Sequence, residues 1–264
     1  VKLYGIRNQG SSTLHDGALT LTKNLDVPRI GPPLDADDTP RRDRLVVEYN
    51  TSTNPVEDGL VQDTSGRGND GVFYNGASYS AADKALKFDG NKYIRGDTGL
   101  TGNFTHSISM WFKASNDGQL FWTGVNANNG DRLNIFFSED GGLGGNTTTP
   151  QIHYTFKGHT HYADVNLNQL YHLVCTYNGT NSSTRTIYLD GVETGTDTTT
   201  DGAGDAFVAL NIATSTFYLN KTNYSDSTLV GSVSQFKLYD TALTAGEVKT
   251  LYDMGRCDEG GHVV

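Results

Sequence analysis

The feature that most constrains the fold is a series of short segments in which apolar residues occupy every second position. Four segments show it clearly: Ile108, Met110 and Phe112; Leu133, Ile135 and Phe137; Ile152, Tyr154 and Phe156; Leu173, Cys175 and Tyr177. Because side chains alternate between the two faces of a strand, each segment predicts a β-strand with one buried face. From Leu45 onward, turns rich in Gly, Asn, Asp and Thr separate such strands.

One helix is predicted near the end of the chain. Thr244 and Glu247 form a capping box, in which each side chain satisfies a free backbone N–H. Apolar residues follow at helical spacing, and Gly255 predicts a left-handed stop after about three turns. Before the helix the strand alternation slips, which predicts a β-bulge around Ser234–Gln235.

Proline placement divides the chain. Four of the six prolines fall between positions 28 and 40, in a stretch that cannot donate a continuous ladder of hydrogen bonds. We therefore predict an N-terminal arm and Pro-rich linker over residues 1–44, a main domain over 45–256 and a tail over 257–264. The arm is too short to bury a core alone, so we expect it either to pack on the main domain or to belong to a preceding module. If the chain is an assembly protein, we expect the arm to dock on partner proteins or on a second copy.

Charge and hydropathy exclude two classes of partner. A net charge of −10 disfavours duplex nucleic acid, which is bound by clustered Lys and Arg. Apolar runs fall far below the roughly 18 residues of a spanning helix, so no membrane insertion is expected. Seven Asn-x-Ser/Thr sequons suit an exposed, secreted or glycosylated protein.

Four fragments occur in an order that identifies a family. They are Asp63–Gly71, Ala85–Gly90, Ile187–Gly191, and Gly231–Val233 leading into Phe236–Asp240. Together they resemble the laminin-G-like branch of the concanavalin A-like lectin and glucanase superfamily, over roughly residues 45 to 253. The resemblance implies an all-β fold, a jelly-roll β-sandwich of two antiparallel sheets with one short C-terminal helix. The tail from Met254 onward resembles a run that follows such domains in structural proteins of large algal viruses.

The same resemblance implies a structural calcium ion near the first fragment, with Asp63 and Asn69 at ligand-type positions. A Gly-rich turn can offer several of the six to eight oxygens that Ca²⁺ prefers. This chain departs from the family by carrying Ser234 and Gln235 where related sequences often carry acidic residues. The alternative is a turn in which Asp63 accepts backbone hydrogen bonds, and the sequence leaves both interpretations open.

Catalytic carboxylates are not evident in the sequence. The family's glucanases place them as Glu-x-Asp-x-x-Glu or Glu-x-Asp-x-Glu on one strand, and no such spacing occurs here. A retaining pair must stand about 5 to 5.5 Å apart. We therefore expect no enzyme activity, and a glycoside hydrolase is kept as the second alternative.

Two groups of residues are candidates for ligand binding. Sugar sites combine an aromatic platform with planar polar groups, and Trp122 precedes a loop that contains Asn126, Asn128 and Asp131. Trp111 lies on the face of its predicted strand that carries polar residues, and we expect it to pack beneath another element.

The second group consists of His153, His159 and His161 on a predicted hairpin around Lys157–Gly158. Side chains two apart on a strand point the same way, so these histidines could chelate a transition metal or contact a polar ligand on the open face.

These observations favour a non-catalytic recognition module, glycan-binding, within a larger protein that is extracellular, cell-surface or on a virion surface. Its expected partner is a glycan or glycoprotein. The first alternative is a structural or assembly protein that uses the sandwich for protein–protein contacts, with self-association through the arm.

Overall fold

The computed structural model describes residues 7–8, 12–15, 18–21, 25–26, 39–125, 130–140, 149–156, 159–198, 208–222 and 229–258. The chain divides into two compact units, Val1–Asp43 and Arg44–Val264. In the first unit, β1 (Arg7–Asn8) pairs with β4 (Leu25–Asp26), and β2 (Ser12–His15) pairs with β3 (Ala18–Leu21), both antiparallel.

Among its described residues, the second unit contains eighteen strands, one α-helix, α1 (Ala245–Asp258), and a short 3₁₀ helix at Ser182–Thr184. Another short 3₁₀ helix, Arg42–Arg44, directly precedes the first of these strands. The strands are β5 (Leu45–Tyr49), β6 (Val56–Glu57), β7 (Leu60–Val61), β8 (Gly71–Tyr74), β9 (Ser78–Ser80), β10 (Ala85–Asp89), β11 (Tyr93–Asp97), β12 (His106–Ala114), β13 (Gly118–Gly124), β14 (Arg132–Ser138), β15 (Gln151–Phe156), β16 (His159–Asp164), β17 (Tyr171–Tyr177), β18 (Arg185–Leu189), β19 (Val192–Thr194), β20 (Thr196–Thr198), β21 (Thr216–Leu219) and β22 (Val230–Tyr239).

These strands form two antiparallel sheets, as predicted. The eight-stranded sheet has the order β19-β18-β17-β12-β22-β10-β9, with β5 also pairing with β22. The ten-stranded sheet has the order β20-β16-β15-β14-β13-β21-β11-β8-β7-β6. Neighbours that are distant in sequence, such as β12 beside β22, show that the connections cross between the sheets, as in a jelly roll. The predicted sandwich is therefore confirmed.

The core lies between the sheets and consists of the alternating apolar residues. At its centre the rings of Tyr49, Phe121, Phe217 and Phe236 pack with centroids 5.5 to 6.2 Å apart. Gly96 makes room for this cluster, because a Cβ there would lie 2.4 Å from the Phe217 ring. This closely packed aromatic cluster supports β11 and β21 from the core side, so it fixes the position of the side chains on the outer face of these two strands.

The predicted bulge is confirmed. Ser109 pairs with Lys237 and Trp111 with Ser234, so β22 carries one extra residue opposite β12. Gln235 lies in the bulge and has a left-handed backbone conformation, with a φ of 50°.

The helix begins as predicted, but its predicted end was wrong. The Thr244 N–H donates to Glu247 Oε2 at 2.7 Å, and the Glu247 N–H donates to Thr244 Oγ1 at 3.3 Å, which completes the capping box. Gly255 lies inside the helix, which continues to Asp258. A Cβ at Gly255 would stand 2.3 Å from Trp111 Nε1, so this glycine allows close packing rather than a stop.

The helix covers the outer face of the eight-stranded sheet. Trp111 stacks on Tyr252 of α1 with ring centroids 5.7 Å apart, and a second apolar cluster includes Val174, Tyr188, Val248 and Leu251. Trp111 therefore lies on the outer, otherwise polar face of β12 because it packs beneath the helix, as expected.

Candidate functional site

Strand register defines the outer face of the ten-stranded sheet. Phe217 and Phe121 point into the core, so their neighbours Tyr218 and Trp122, which pair across β21 and β13, point outward. Following the pairing in both directions gives one row of outward residues, Val72, Arg95, Tyr218, Trp122, Asn134, Thr155 and Thr160. A second row contains Phe136, His153 and Tyr162. Aromatic and polar side chains thus cover one side of this sheet.

At one end of this face three tyrosines form a partly exposed cluster, which we call the tyrosine surface: Tyr74, Tyr93 and Tyr218, with Arg95 and Lys221. The rings of Tyr74 and Tyr93 are parallel, with centroids 4.6 Å apart. Tyr218 meets Tyr93 edge-on at 6.0 Å. Each of the three tyrosines is partly exposed to solvent, so the cluster presents aromatic side chains at the protein surface.

Two cations belong to the tyrosine surface. Lys221 Nζ lies 4.9 Å from the centroid of the Tyr93 ring, within cation–π range. Arg95 is exposed, and the neighbouring Tyr74 side chain raises the pKa of its guanidinium. The charge of Arg95 is therefore accessible to solvent beside the tyrosine rings.

Farther along the same face, the residues around Trp122 are buried. We call Trp122, Asn134, His153 and Thr155 the buried strip, since each is at most 5% exposed. The Arg132 guanidinium lies 5.5 Å from the Trp122 ring centroid, and His153 stacks on Phe136 at 4.5 Å. Burial lowers the pKa of His153 to about 4, so this ring is neutral at physiological pH.

The predicted aromatic platform is therefore not accessible in this structure. Trp122 is 0% exposed and has no ring face open to a sugar. Asp131 is 5% exposed, and its backbone carbonyl accepts a hydrogen bond from the Val125 N–H. Asn126 and Asn128 lie outside the described residues.

The prediction that three histidines share one open face was wrong. His153 pairs with Tyr162 on the outer face, whereas His161 pairs with Tyr154, which points into the core. His159 pairs with Phe156 through the backbone, and its side chain lies outside the described part of the chain. In this hairpin each odd-numbered residue of one strand pairs directly with an even-numbered residue of the other, and directly paired residues share a face. Because neighbouring residues of a strand point to opposite faces, the odd-numbered His153 and His161 point to opposite sides of the sheet. In the part of the chain that the structure describes, no group of three His, Cys, Asp or Glu residues could hold a metal ion.

The turn at Asp63 is closed by hydrogen bonds. Asp63 Oδ1 accepts from the N–H groups of Glu48 and Ser65, both at 2.9 Å. Its Oδ2 accepts from Ser65 Oγ at 2.7 Å and from the Asn69 N–H at 2.8 Å. The Asn69 amide donates to the Val46 carbonyl at 2.8 Å. Four donors occupy the carboxylate, so these residues fit the hydrogen-bonded turn and do not fit a calcium ion, which would have to displace them.

A serine–histidine pair is present but inaccessible. Ser109 Oγ lies 3.1 Å from His172 Nε2, the geometry of a nucleophile and its base. Both residues are 2% exposed, and His172 lies 6.0 Å from the Tyr252 ring of α1. Burial lowers the pKa of His172 to about 3. No substrate can reach this pair, so it is part of the packing beneath the helix.

The family is decided by sequence comparison. A model of the Concanavalin A-like lectin/glucanases superfamily, of laminin-G type, matches residues 88–249. The chain belongs to this superfamily. No curated protein matches it. None of its described helices is long and apolar enough to cross a membrane.

Solved structures of other proteins share the fold of this chain. Domain 4 of the extracellular arabinanase AbnA from Geobacillus stearothermophilus, solved with arabinotriose, has a TM-score of 0.55 at 19% identity, covering 79% of this chain and 98% of that one. The binding domain of Paraclostridial Mosquitocidal Protein 1 has a TM-score of 0.55 at 15% identity, covering 80% and 52%.

A structure concerning botulinum neurotoxin type C, whose cell entry depends on two ganglioside molecules, has a TM-score of 0.53 at 13% identity, covering 80% and 51%. The chain thus spans about half the length of these toxin chains. At such identities the likeness concerns the fold.

The tyrosine surface was not found by sequence reasoning. Its signal was present, because Tyr93 and Arg95 alternate with Ile94, and Tyr218 stands between two core residues. What the sequence did not show is that β8, β11 and β21, from distant parts of the chain, are neighbours.

Proposed function

We propose that this concanavalin A-like domain is a non-catalytic module that recognises glycans, and that the tyrosine surface is its binding site. The observation that carries the proposal is the partly exposed cluster of Tyr74, Tyr93 and Tyr218 at one end of the outer face of the ten-stranded sheet. The C–H side of a pyranose packs on aromatic carbon, and tyrosine hydroxyls with a guanidinium can bind the sugar hydroxyls.

The support beneath the surface suits this role. Tyr93 and Tyr218 extend from strands whose opposite side carries Ile94 and Phe217, both 0% exposed. A binding site on packed strands holds its geometry without ordering a loop, which lowers the entropic cost of binding.

The fold comparison agrees with this reading. One similar domain was solved with arabinotriose, and a similar toxin domain is connected with gangliosides. We extend carbohydrate recognition to this chain as a proposal, and with it a place outside the cell, on a cell surface or on a virion.

The experiment is a glycan array, with and without Ca²⁺, followed by calorimetry on any sugar that binds. Tyr74→Ala and Tyr218→Ala should each weaken binding by about fivefold, since stacking by one aromatic ring is worth on the order of 1 kcal/mol. Tyr79→Ala is the matched control, because Tyr79 is a partly exposed tyrosine on the eight-stranded sheet.

Circular dichroism shows whether each variant is folded. Release of reducing sugar from a bound glycan would contradict the non-catalytic part of the proposal. Absence of any binder on the array, or equal loss of affinity in Tyr79→Ala, would contradict the assignment of the site.

A further inference from the structure

The tyrosine surface continues beyond its rings toward one edge of the ten-stranded sheet. Strand β8 lies between β11 and β7, and its Val72 pairs with Arg95 on one side and with Leu60 on the other. Val61, the chain neighbour of Leu60, is 0% exposed, so Leu60 points to the outer face. Val72 is 39% exposed and Leu60 is partly exposed. These two apolar side chains, which we call the apolar margin, extend the surface to β7.

The extended surface is closed at one end and open at the other. Trp122 pairs directly with Tyr218 and is 0% exposed, so a ligand on Tyr218 cannot continue over β13. In the other direction β6 is the last strand of the sheet. Gly59, in the turn between β6 and β7, adjoins open space, because a Cβ there would meet nothing within 4 Å. A ligand longer than the tyrosine cluster can therefore run only from Tyr218 toward Leu60.

The length of this path suits a chain of sugars. Neighbouring strands are about 4.8 Å apart, so the row that crosses β21, β11, β8 and β7 is about 14 Å long. One sugar residue in an extended chain advances by a distance close to the strand spacing, so the row has room for about three residues. A single sugar would cover one or two strands and leave the apolar margin in water. Exposed apolar groups that adjoin a binding site gain stability when a ligand covers them.

We propose that the tyrosine surface binds a linear oligosaccharide that crosses the strands from Tyr218 to the apolar margin, where Leu60 and Val72 contact its far residue. This inference rests on the proposed function and names the ligand class of the same site. The near residues pack on the tyrosine rings, and the planar guanidinium of Arg95, in the middle of the row, donates to hydroxyls of the chain. The C–H face of the far residue covers the apolar margin.

The test uses neutral linear oligosaccharides of increasing length, the cello-, xylo-, manno- and arabino-oligosaccharides, titrated by calorimetry. We expect the affinity to rise by about tenfold from the disaccharide to the tetrasaccharide and then to level off, because the row ends at Leu60. The double variant Leu60→Ser with Val72→Ser should bind the tetrasaccharide only as tightly as the disaccharide, and its affinity for the disaccharide should be unchanged. Val192→Ser is the matched control, because Val192 is 64% exposed at the edge of the other sheet.

A second measurement needs no variant. In the unaltered protein, the methyl NMR signals of Leu60 and Val72 should shift on addition of the tetrasaccharide and stay in place on addition of the disaccharide.

The outcomes separate the two proposals. If a disaccharide binds as tightly as the tetrasaccharide of its series, if the methyl signals of the apolar margin do not respond to chain length, or if none of these oligosaccharides binds although another glycan on the array does, the inference is wrong and glycan recognition stands. Equal loss of tetrasaccharide affinity in Val192→Ser would also contradict the inference. If no glycan binds at all, both proposals are overturned.

Discussion

The tyrosine surface and the buried strip lie on the same face of the same sheet, and Tyr218 and Trp122 are directly paired across two strands. Both contain aromatic rings beside an arginine, the composition expected of a sugar site. They differ in exposure, because Tyr74, Tyr93 and Tyr218 reach solvent whereas Trp122 and His153 are at most 2% exposed. Residue type alone therefore does not identify a binding surface, and the burial of each ring decides between recognition and packing.

The largest difference should appear in stability. Trp122→Ala removes a fully buried ring and should lower the free energy of unfolding by about 3 to 5 kcal/mol. Tyr74→Ala removes a partly exposed ring that stacks on Tyr93, and should lower the free energy of unfolding by about 1 kcal/mol. Urea denaturation measures both. Equal losses in the two variants would remove the distinction between the regions.

The second prediction concerns pH. Burial lowers the pKa of His153 in the buried strip and of His106 in the core to about 4, below the usual value near 6.5. Between about pH 4 and about pH 6.5 the unfolded chain therefore binds more protons than the folded chain does. The free energy of unfolding then falls as the pH drops from about 6.5 to about 4. The slope should reach about 1.4 kcal/mol per pH unit for each such histidine.

His153→Phe keeps the stack on Phe136 and should remove the contribution of one histidine from that slope. Glycan binding by the tyrosine surface, which has no histidine among its members, should not change between pH 8 and pH 6. A stability that is flat over the acid range, or a binding constant that follows the histidine titration, would speak against this separation.

A smaller effect should distinguish polar groups in the buried strip. Asn134 is 5% exposed, and its Oδ1 has no hydrogen-bond partner in the described part of the chain. Asn134→Leu should therefore leave the free energy of unfolding within about 1 kcal/mol of its original value, since no hydrogen bond to that oxygen is lost and a desolvation cost is removed. Asn220→Leu is the contrast, because the Asn220 amide donates to the carbonyls of Gly90 and Lys92 at 2.9 and 2.8 Å. Similar losses in both variants would show that Asn134 has a binding partner of its own.

Much of the fold could be predicted from the sequence because it depends on local sequence patterns. The period-two segments, the Thr244–Glu247 capping box and the bulge at Gln235 each depend on residues close together in the chain. Gly255 shows where local reasoning ends, because its role depends on Trp111, more than a hundred positions away. A glycine near the end of a helix signals a stop only when no other element approaches it.

The candidate site was less predictable for the same reason. Trp122 was identified by its residue type, but its burial depends on tertiary packing. The assignment of His161 to the open face failed on strand parity once the pairing with Tyr154 was known. The tyrosine surface brings together residues 74, 93 and 218, and only the order of strands in the ten-stranded sheet makes them neighbours.

The central claim is that ligands bind at the tyrosine surface rather than at Trp122, and NMR tests it most directly. The protein, labelled at the tyrosine rings and at the tryptophan indole N–H, is titrated with the tightest-binding sugar from the array. We predict that signals of Tyr74, Tyr93 and Tyr218 shift in proportion to occupancy while the Trp122 indole signal stays in place. A Trp122 signal that follows occupancy while those of the three tyrosines remain unchanged would contradict the claim.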